Sequence, residues 1–348
     1  MEEIPNATLV DGLRDEAAAA VGAVVAPGSR CALLAFPNHT NPGDLGIWLA
    51  AKALLTRARA EIVYECGWRD YSPEALAEAV AGGAHIVFTG GGNFGDLWPA
   101  THALRERVLD AFPGVPFVQL PQTIFFQDRS ALEHTRALLA RHGNVVLMVR
   151  DAMSHALAAR DFAVDVRLVP DLAFACPLAP RSAPVNDIVL VARADRESRG
   201  LFRAPIGDGV WRVDWNLRER ELEAADGERP PSPALRELIE ANRALTKQAN
   251  AGSGWHELAG VRDELARARL DRGCALLGRG RVIVTDSLHA HIVGLMYGIP
   301  TVVTDNSYGK LRATFDTFTH VSPLAAWADT PAQALAMARD IGVRRSPR

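Results

Sequence analysis

Lysine is nearly absent from this chain of 348 residues: Lys52, Lys247 and Lys310 are the only three among 38 basic residues. Arginine carries the rest, a bias that a GC-rich genome produces by itself, so each lysine in a loop stands out. Cysteine is as scarce. Cys31, Cys66, Cys176 and Cys274 lie far apart with no C-x-x-C pair, which argues against a disulfide framework or a zinc cluster and fits a reducing cytoplasm. A large excess of one charge sign is missing too: the net charge is −3 at pH 7, which gives no electrostatic reason to expect nucleic acid as a partner. The Ala/Val run near the N-terminus is about a dozen residues, short of the ~20 that a spanning helix needs. The chain opens on "MEEIPNATLVDGLRDE", acidic where a signal peptide is basic. These absences predict a cytoplasmic protein, with at most peripheral contact at the inner face of a membrane. No G-x-S-x-G elbow and no G-x-x-x-x-G-K-[ST] loop occurs, which disfavours a serine hydrolase and a P-loop nucleotidase.

What the sequence does contain is a rhythm. "CALLAF" (31–36), "EIVYEC" (61–66), "HIVFTG" (85–90), "PFVQLP" (116–121) and "VVLMVR" (145–150) read as buried strands separated by helical patterns. Strands without polar alternation predict parallel sheets covered on both faces. "CPLAPRSAPVND" (176–187) is proline-rich and interrupts the rhythm. A second series follows: "DIVLVAR" (187–193), "WRVDW" (211–215), "RVIVTD" (281–286) and "PTVVTD" (300–305). The expected fold is α/β, two doubly wound Rossmann-like domains facing a cleft, over 1–180 and 181–348. The polar stretch 216–280, with "DGERPPSP" and two expected helices, reads as an insertion, a lid or an acceptor-binding element. In open α/β sheets ligands sit beyond the carboxyl ends of strands, so the loops there are where function is sought.

One such loop, "FTGGGNFGDLW" (88–98), spells G-x-G-x-x-G through Gly90, Gly92 and Gly95. A dinucleotide fingerprint follows the first strand of its domain, and an acid ends the next strand. Here two strands precede the glycines, and Pro121 and Gln122 stand where the acid should be. The NAD reading fails. A more general one survives, in which glycine backbone N–H groups at a helix start approach an anion. "FPNHTNPGDLGIW" places Asn41, Gly43 and Asp44 at a strand-to-helix turn, where a capping role explains them as well as a ligand role does. "VARADRES" puts Arg193 directly after a strand. "TDSLHAHIVGLMYGIPTVVTDNSYGK" holds His289 in the first turn of a helix and Lys310 in a glycine-bearing loop. His289 and His291 are two apart, on different helix faces, so a shared metal is not expected. Trp48, Trp98 and Trp255 are of the type that stacks on sugars, and also of the type that fills cores and rims.

Together "NPGDLGIW", "GGGNFGD" and "TDSLHAHIVGLMYGIPTVVTDNSYGK" resemble the polysaccharide pyruvyl transferases in order and spacing, over most of residues 30–320. The resemblance implies a fold like that of GT-B glycosyltransferases. It implies transfer of the pyruvyl group of phosphoenolpyruvate to a sugar of a polysaccharide or glycoconjugate as a ketal, with release of phosphate. No cofactor or metal is implied; the partners are phosphoenolpyruvate as donor substrate and a sugar acceptor, free or lipid-linked. His289 matches the family's general acid, Arg193 looks like an arginine holding the donor's carboxylate or phosphate, and Asp44 matches an acid that orients or deprotonates the acceptor. Asn41, Gly43, Gly91, Gly92, Asn93, Ser287, Leu288, Asn306, Ser307 and Lys310 fall at the substrate-binding positions. Many members have arginine where this chain has Ser287, so Lys310 or a nearby arginine is expected to supply the missing charge, or donor use is altered. A nucleotide-sugar glycosyltransferase and a catalytically silent anion-binding relative are the alternatives.

Overall fold

The computed structural model describes residues 4–203, 206–215, 232–250 and 254–345. The first sheet comprises β1 (Arg30–Leu34), β2 (Glu61–Cys66), β3 (His85–Phe88), β4 (Gly91–Phe94), β5 (Phe117–Ile124), β6 (Val145–Val149) and β7 (Asp165–Leu168). Its order is β2-β1-β3-β5-β6-β7, with β4 pairing β5 off this path. The second comprises β8 (Asn186–Val191), β9 (Val210–Val213), β10 (Gly280–Thr285), β11 (Thr301–Val303) and β12 (Ala325–Trp327), in the order β12-β11-β10-β8-β9. Every pairing is parallel.

The uninterrupted apolar strands have the cause that the sequence suggests. Cys31 and Leu33 of β1 enter one core while Ala32 and Leu34 enter another, so both faces are covered. Likewise Ile188 and Leu190 of β8 face a core of their own. Val189 and Val191 share theirs with Leu33, Trp48 and Ile283, so one core is common to the two sheets. A parallel sheet buried on both faces has no solvent side on which to place polar residues.

Three strands escape the sequence reading: β4, β7 and β12. β4 is the glycine stretch itself, and the next helix begins only at Pro99. The glycines therefore do not open a helix, which corrects the expectation of N–H groups at a helix start. β5 runs on to Ile124, so Pro121 and Gln122 lie inside it. The first acid beyond it is Asp128, which caps a helix by accepting from Ser130 N at 2.8 Å.

Contacts cross the division expected at residue 180. The helix Asn6–Val24 precedes β1, yet Asn6 Nδ2 donates to Leu295 O at 2.8 Å and Ile4 N to Val321 O at 3.1 Å. Between β9 and β10 lie the helices Pro233–Asn250 and Trp255–Gly278; the "DGERPPSP" expectation falls largely outside the described residues. Trp255–Gly278 joins the first half through Arg262, paired with Asp70 at 2.7 Å, and through Asp263, paired with Lys52 at 2.5 Å. Among the described residues, no helix is long and apolar enough to cross a membrane.

Candidate functional site

Strand order reverses between β1 and β3 in the first sheet and between β8 and β10 in the second. Such switch points leave crevices at strand ends. The register aligns those ends, Leu34 with Phe88 and Val191 with Thr285. Four segments therefore meet: that of Asp44 after β1, the glycines after β3, Arg193 after β8 and His289 after β10.

Asn41 caps the helix Pro42–Arg57, its Oδ1 accepting from Gly43 N at 3.0 Å, while its Nδ2 donates to Asp44 Oδ2 at 2.8 Å. The cap and the ligand readings of this turn thus coincide: the cap aims the carboxylate. Gly43 sits against the other half of the molecule. A Cβ there would lie 2.2 Å from His289 Nδ1, so only glycine lets the helix start approach the histidine. His289 Nδ1 is 3.6 Å from Asp44 Oδ1, and the ring is 6% exposed.

On its other side, His289 Nε2 lies 3.1 Å from Arg150 Nη1 and 3.5 Å from Asp171 Oδ2. A guanidinium only donates. We therefore assign Nε2 as the acceptor of the shorter contact, which puts the proton of a neutral ring on Nδ1, facing Asp44. Arg150 and Asp171 form a buried pair at 2.5 Å, each 1% exposed. Burial by itself would raise the Asp171 carboxyl, but Arg150 and then His289 outweigh it and hold it well below the usual carboxylate range. Arg150 Nε also donates to Thr123 Oγ1 at 2.9 Å.

Arg193 stands just beyond the end of β8 and is heavily engaged. Its backbone N donates to Asp286 Oδ1 at 2.8 Å, its Nε donates to Asp195 Oδ1 at 3.0 Å, and Nη2 lies 3.4 Å from Glu197 Oε2. Glu197 is the hub of this side: it pairs with Lys310 and accepts from Trp98 Nε1 at 3.2 Å and Asn306 Nδ2 at 3.3 Å. Burial would raise its carboxyl, yet Lys310 and Arg193 bring it down to about 2. Asp286 has no ion pair among the described residues, and burial, only partly offset by the backbone N–H and charge of Arg193, pushes its carboxyl up to about 7.

The remaining positions divide. Gly91, at φ +133°, would place a Cβ 3.8 Å from Asp44 Oδ1, and Gly92 lies beneath Arg150, Tyr308 and Lys310. Asn93 is turned inward: its Oδ1 accepts from Arg105 Nη2 at 2.8 Å and from Gln122 Nε2 at 3.1 Å, which stiffens the glycine stretch from below. Ser287 precedes the helix Leu288–Met296 without a side-chain cap, and Leu288 packs into the common core. Ser307 is exposed, its N donating to Glu197 O at 2.9 Å. Of the tryptophans, Trp48 is core, Trp255 stacks on His256, and Trp98 lies under Arg196 with its centroid 4.5 Å from the guanidinium carbon. His291 donates nothing to the cleft; it lies between Thr301 and Thr319, and burial lowers it to about 3.

Arg150, Asp171, Glu197 and Tyr308 were not singled out by the sequence. Arg150 had an available signal, since it directly follows β6 as Arg193 closely follows β8. Asp171 follows β7, whose "DVRL" carries two charges in four residues and lacks the apolar signature of a buried strand.

Residues 41–308 match the family model described as polysaccharide pyruvyl transferase. The chain is 30% identical over 303 residues to pyruvyl transferase 1 of Schizosaccharomyces pombe, covering 84% of this chain and 70% of that protein. It is 26% identical over 289 residues to EpsO of Bacillus subtilis, whose name marks it as a candidate pyruvyl transferase, covering 81% and 83%. In fold it is similar to a functionally uncharacterized Klebsiella pneumoniae protein of known crystal structure, with a TM-score of 0.55, 17% identity, and 92% and 98% of the two chains covered. The match spans Asp44, the glycine stretch, Arg193 and His289: this chain belongs to the polysaccharide pyruvyl transferase family.

Proposed function

We propose that the protein transfers the pyruvyl group of phosphoenolpyruvate to a sugar of a polysaccharide or glycoconjugate, forming a ketal and releasing phosphate, in a GT-B-like cleft. The observation that carries this is the cluster at His289: a titratable ring between the Asp44 carboxylate and the Arg150 guanidinium. The donor is a small, multiply charged anion, for which arginine and backbone N–H groups are suited partners. Arg150 and Lys310 supply charge that Ser287 does not.

The chemistry follows from this placement. In this reading the imidazolium form of His289 is the acid. It protonates C3 of the donor, leaving oxocarbenium character at C2, which an acceptor hydroxyl attacks. Asp44 takes that hydroxyl's proton, and transfer from Asp44 back to the ring restores both groups. A second hydroxyl attacks C2 as the C2–O bond to phosphate breaks, and its proton leaves with the phosphate. One hydroxyl proton thus ends on the new methyl group and the other on phosphate.

Incubation with phosphoenolpyruvate and a panel of saccharides, free and lipid-linked, is expected to release phosphate and yield a product heavier by a pyruvate ketal. His289→Asn should lower turnover about a hundred- to ten-thousandfold with the fold intact. Full turnover in that variant contradicts the acid role.

A further inference from the structure

Three donors from the two halves of the molecule converge over the glycine stretch. A Cβ on Gly92 would lie 3.1 Å from Arg150 Nη2, 3.5 Å from Tyr308 Oη and 3.8 Å from Lys310 Nζ. A guanidinium and an ammonium offer no lone pair to a neighbouring donor. Tyr308 Oη is buried and its O–H finds no acceptor among the described residues; the adjacent Lys310 ammonium can only donate to it. Its ring is held in place against Phe125, centroids 4.9 Å apart, with the Lys310 ammonium 5.2 Å from the ring centroid. Burial raises the phenol above its ordinary range, so it remains an O–H donor. A buried hydroxyl without an acceptor is costly and calls for a physical cause. One acceptor would satisfy it: an anionic oxygen seated at Gly92 among these three donors.

We propose that Tyr308 is a further ligand-binding residue, its phenol donating a hydrogen bond to a phosphate oxygen held over Gly92 beside Arg150 and Lys310. Identifying that phosphate as the donor's rests on the pyruvyl-transfer reading; the convergence of donors does not. The phenol adds direction to a seat otherwise formed by charge, since its hydrogen points from a ring fixed on two sides.

The test compares wild type with Tyr308→Phe, which removes one oxygen, by thermal unfolding across concentrations of inorganic phosphate and of phosphoenolpyruvate. Without ligand the variant should be at least as stable as wild type, because an unsatisfied group has gone. It should need about tenfold more of either ligand for equal stabilisation. Equal ligand dependence in the two proteins overturns the proposal and leaves the function standing. Phosphate stabilisation that weakens in the variant, in a protein that turns over no phosphoenolpyruvate, supports the seat and sinks the function. No stabilisation of wild type by either ligand overturns both. Should the variant not fold, wild type labelled with 3-fluorotyrosine gives a second reading. The chain has four tyrosines; Tyr64 Oη accepts from Ser72 N and Tyr297 Oη donates to Ala179 O. One fluorine resonance should move on phosphate addition; stabilisation by phosphate with none moving contradicts the proposal.

Discussion

Two buried arginine–aspartate pairs in this molecule have the same composition and different uses. Arg262 and Asp70 are bidentate, both bonds 2.7 Å, each residue 1% to 3% exposed, with the guanidinium over the Phe36 ring at 4.6 Å. Asp70 also accepts from Gly67 N at 3.2 Å. Both terminal nitrogens of Arg262 go to Asp70, its Nε is buried without a partner among the described residues, and the pair joins the helix Trp255–Gly278 to the loop after β2. Arg150 and Asp171 are equally buried, but the guanidinium is divided among Asp171, Thr123, His289 and the space over Gly92. Burial and a carboxylate partner do not mark a functional arginine. What marks it is where its remaining donors point.

The largest expected difference comes from exchanging each arginine for lysine, which keeps the charge and removes the planar fork. Arg150→Lys should lower turnover several hundredfold, the scale for losing a directed donor at a reacting anion. Arg262→Lys should leave turnover per folded molecule unchanged and lower stability by about 1–3 kcal/mol, read from urea midpoints. Equal loss of turnover in the two variants would erase the distinction. A smaller effect is expected from Gly43→Ala. Its methyl group must displace His289, and misplacement of about 1 Å typically costs about a hundredfold, so stability should change less than turnover.

The smallest effect concerns a third buried carboxylate, Asp286, whose side chain pairs with no guanidinium among the described residues. Its carboxyl is raised to about 7 in the fold, so between about pH 4 and 7 the folded state holds a proton that the unfolded chain has released. This contribution is complete below pH 4 and is lost as pH rises through 7. Asp286→Asn, which keeps an acceptor for Arg193 N, should remove that loss. The variant should gain stability relative to wild type on going from pH 5 to pH 8; a constant difference across that range contradicts a protonated Asp286.

The same contrast shows what was legible in the sequence. Buried parallel strands announce themselves as apolar runs, and the loops after β1, β3, β8 and β10 follow from them. Gly43, Asp44, Gly92 and His289 come directly after β1, β3 and β10, Lys310 comes after β11, and the fold brings them together. β7 stayed hidden because a peripheral strand of partial burial need not be apolar, and β12 because three residues are too few to show a pattern. Asp171 was hidden with β7. Asn93 and Leu288 sat in the right motifs, but backbone direction turns their side chains into the interior, which no spacing reveals. Arg193 shows the converse: its position was legible, while its engagement with Asp195 and Glu197 depends on how "ADRES" folds back.

The most direct test of the account is calorimetric titration of phosphoenolpyruvate into wild type, Arg150→Lys and Arg262→Lys. Saturable binding in wild type and Arg262→Lys, with affinity lost or much reduced in Arg150→Lys, is the predicted result. Absence of binding in folded wild type, or equal binding in all three proteins, would contradict it.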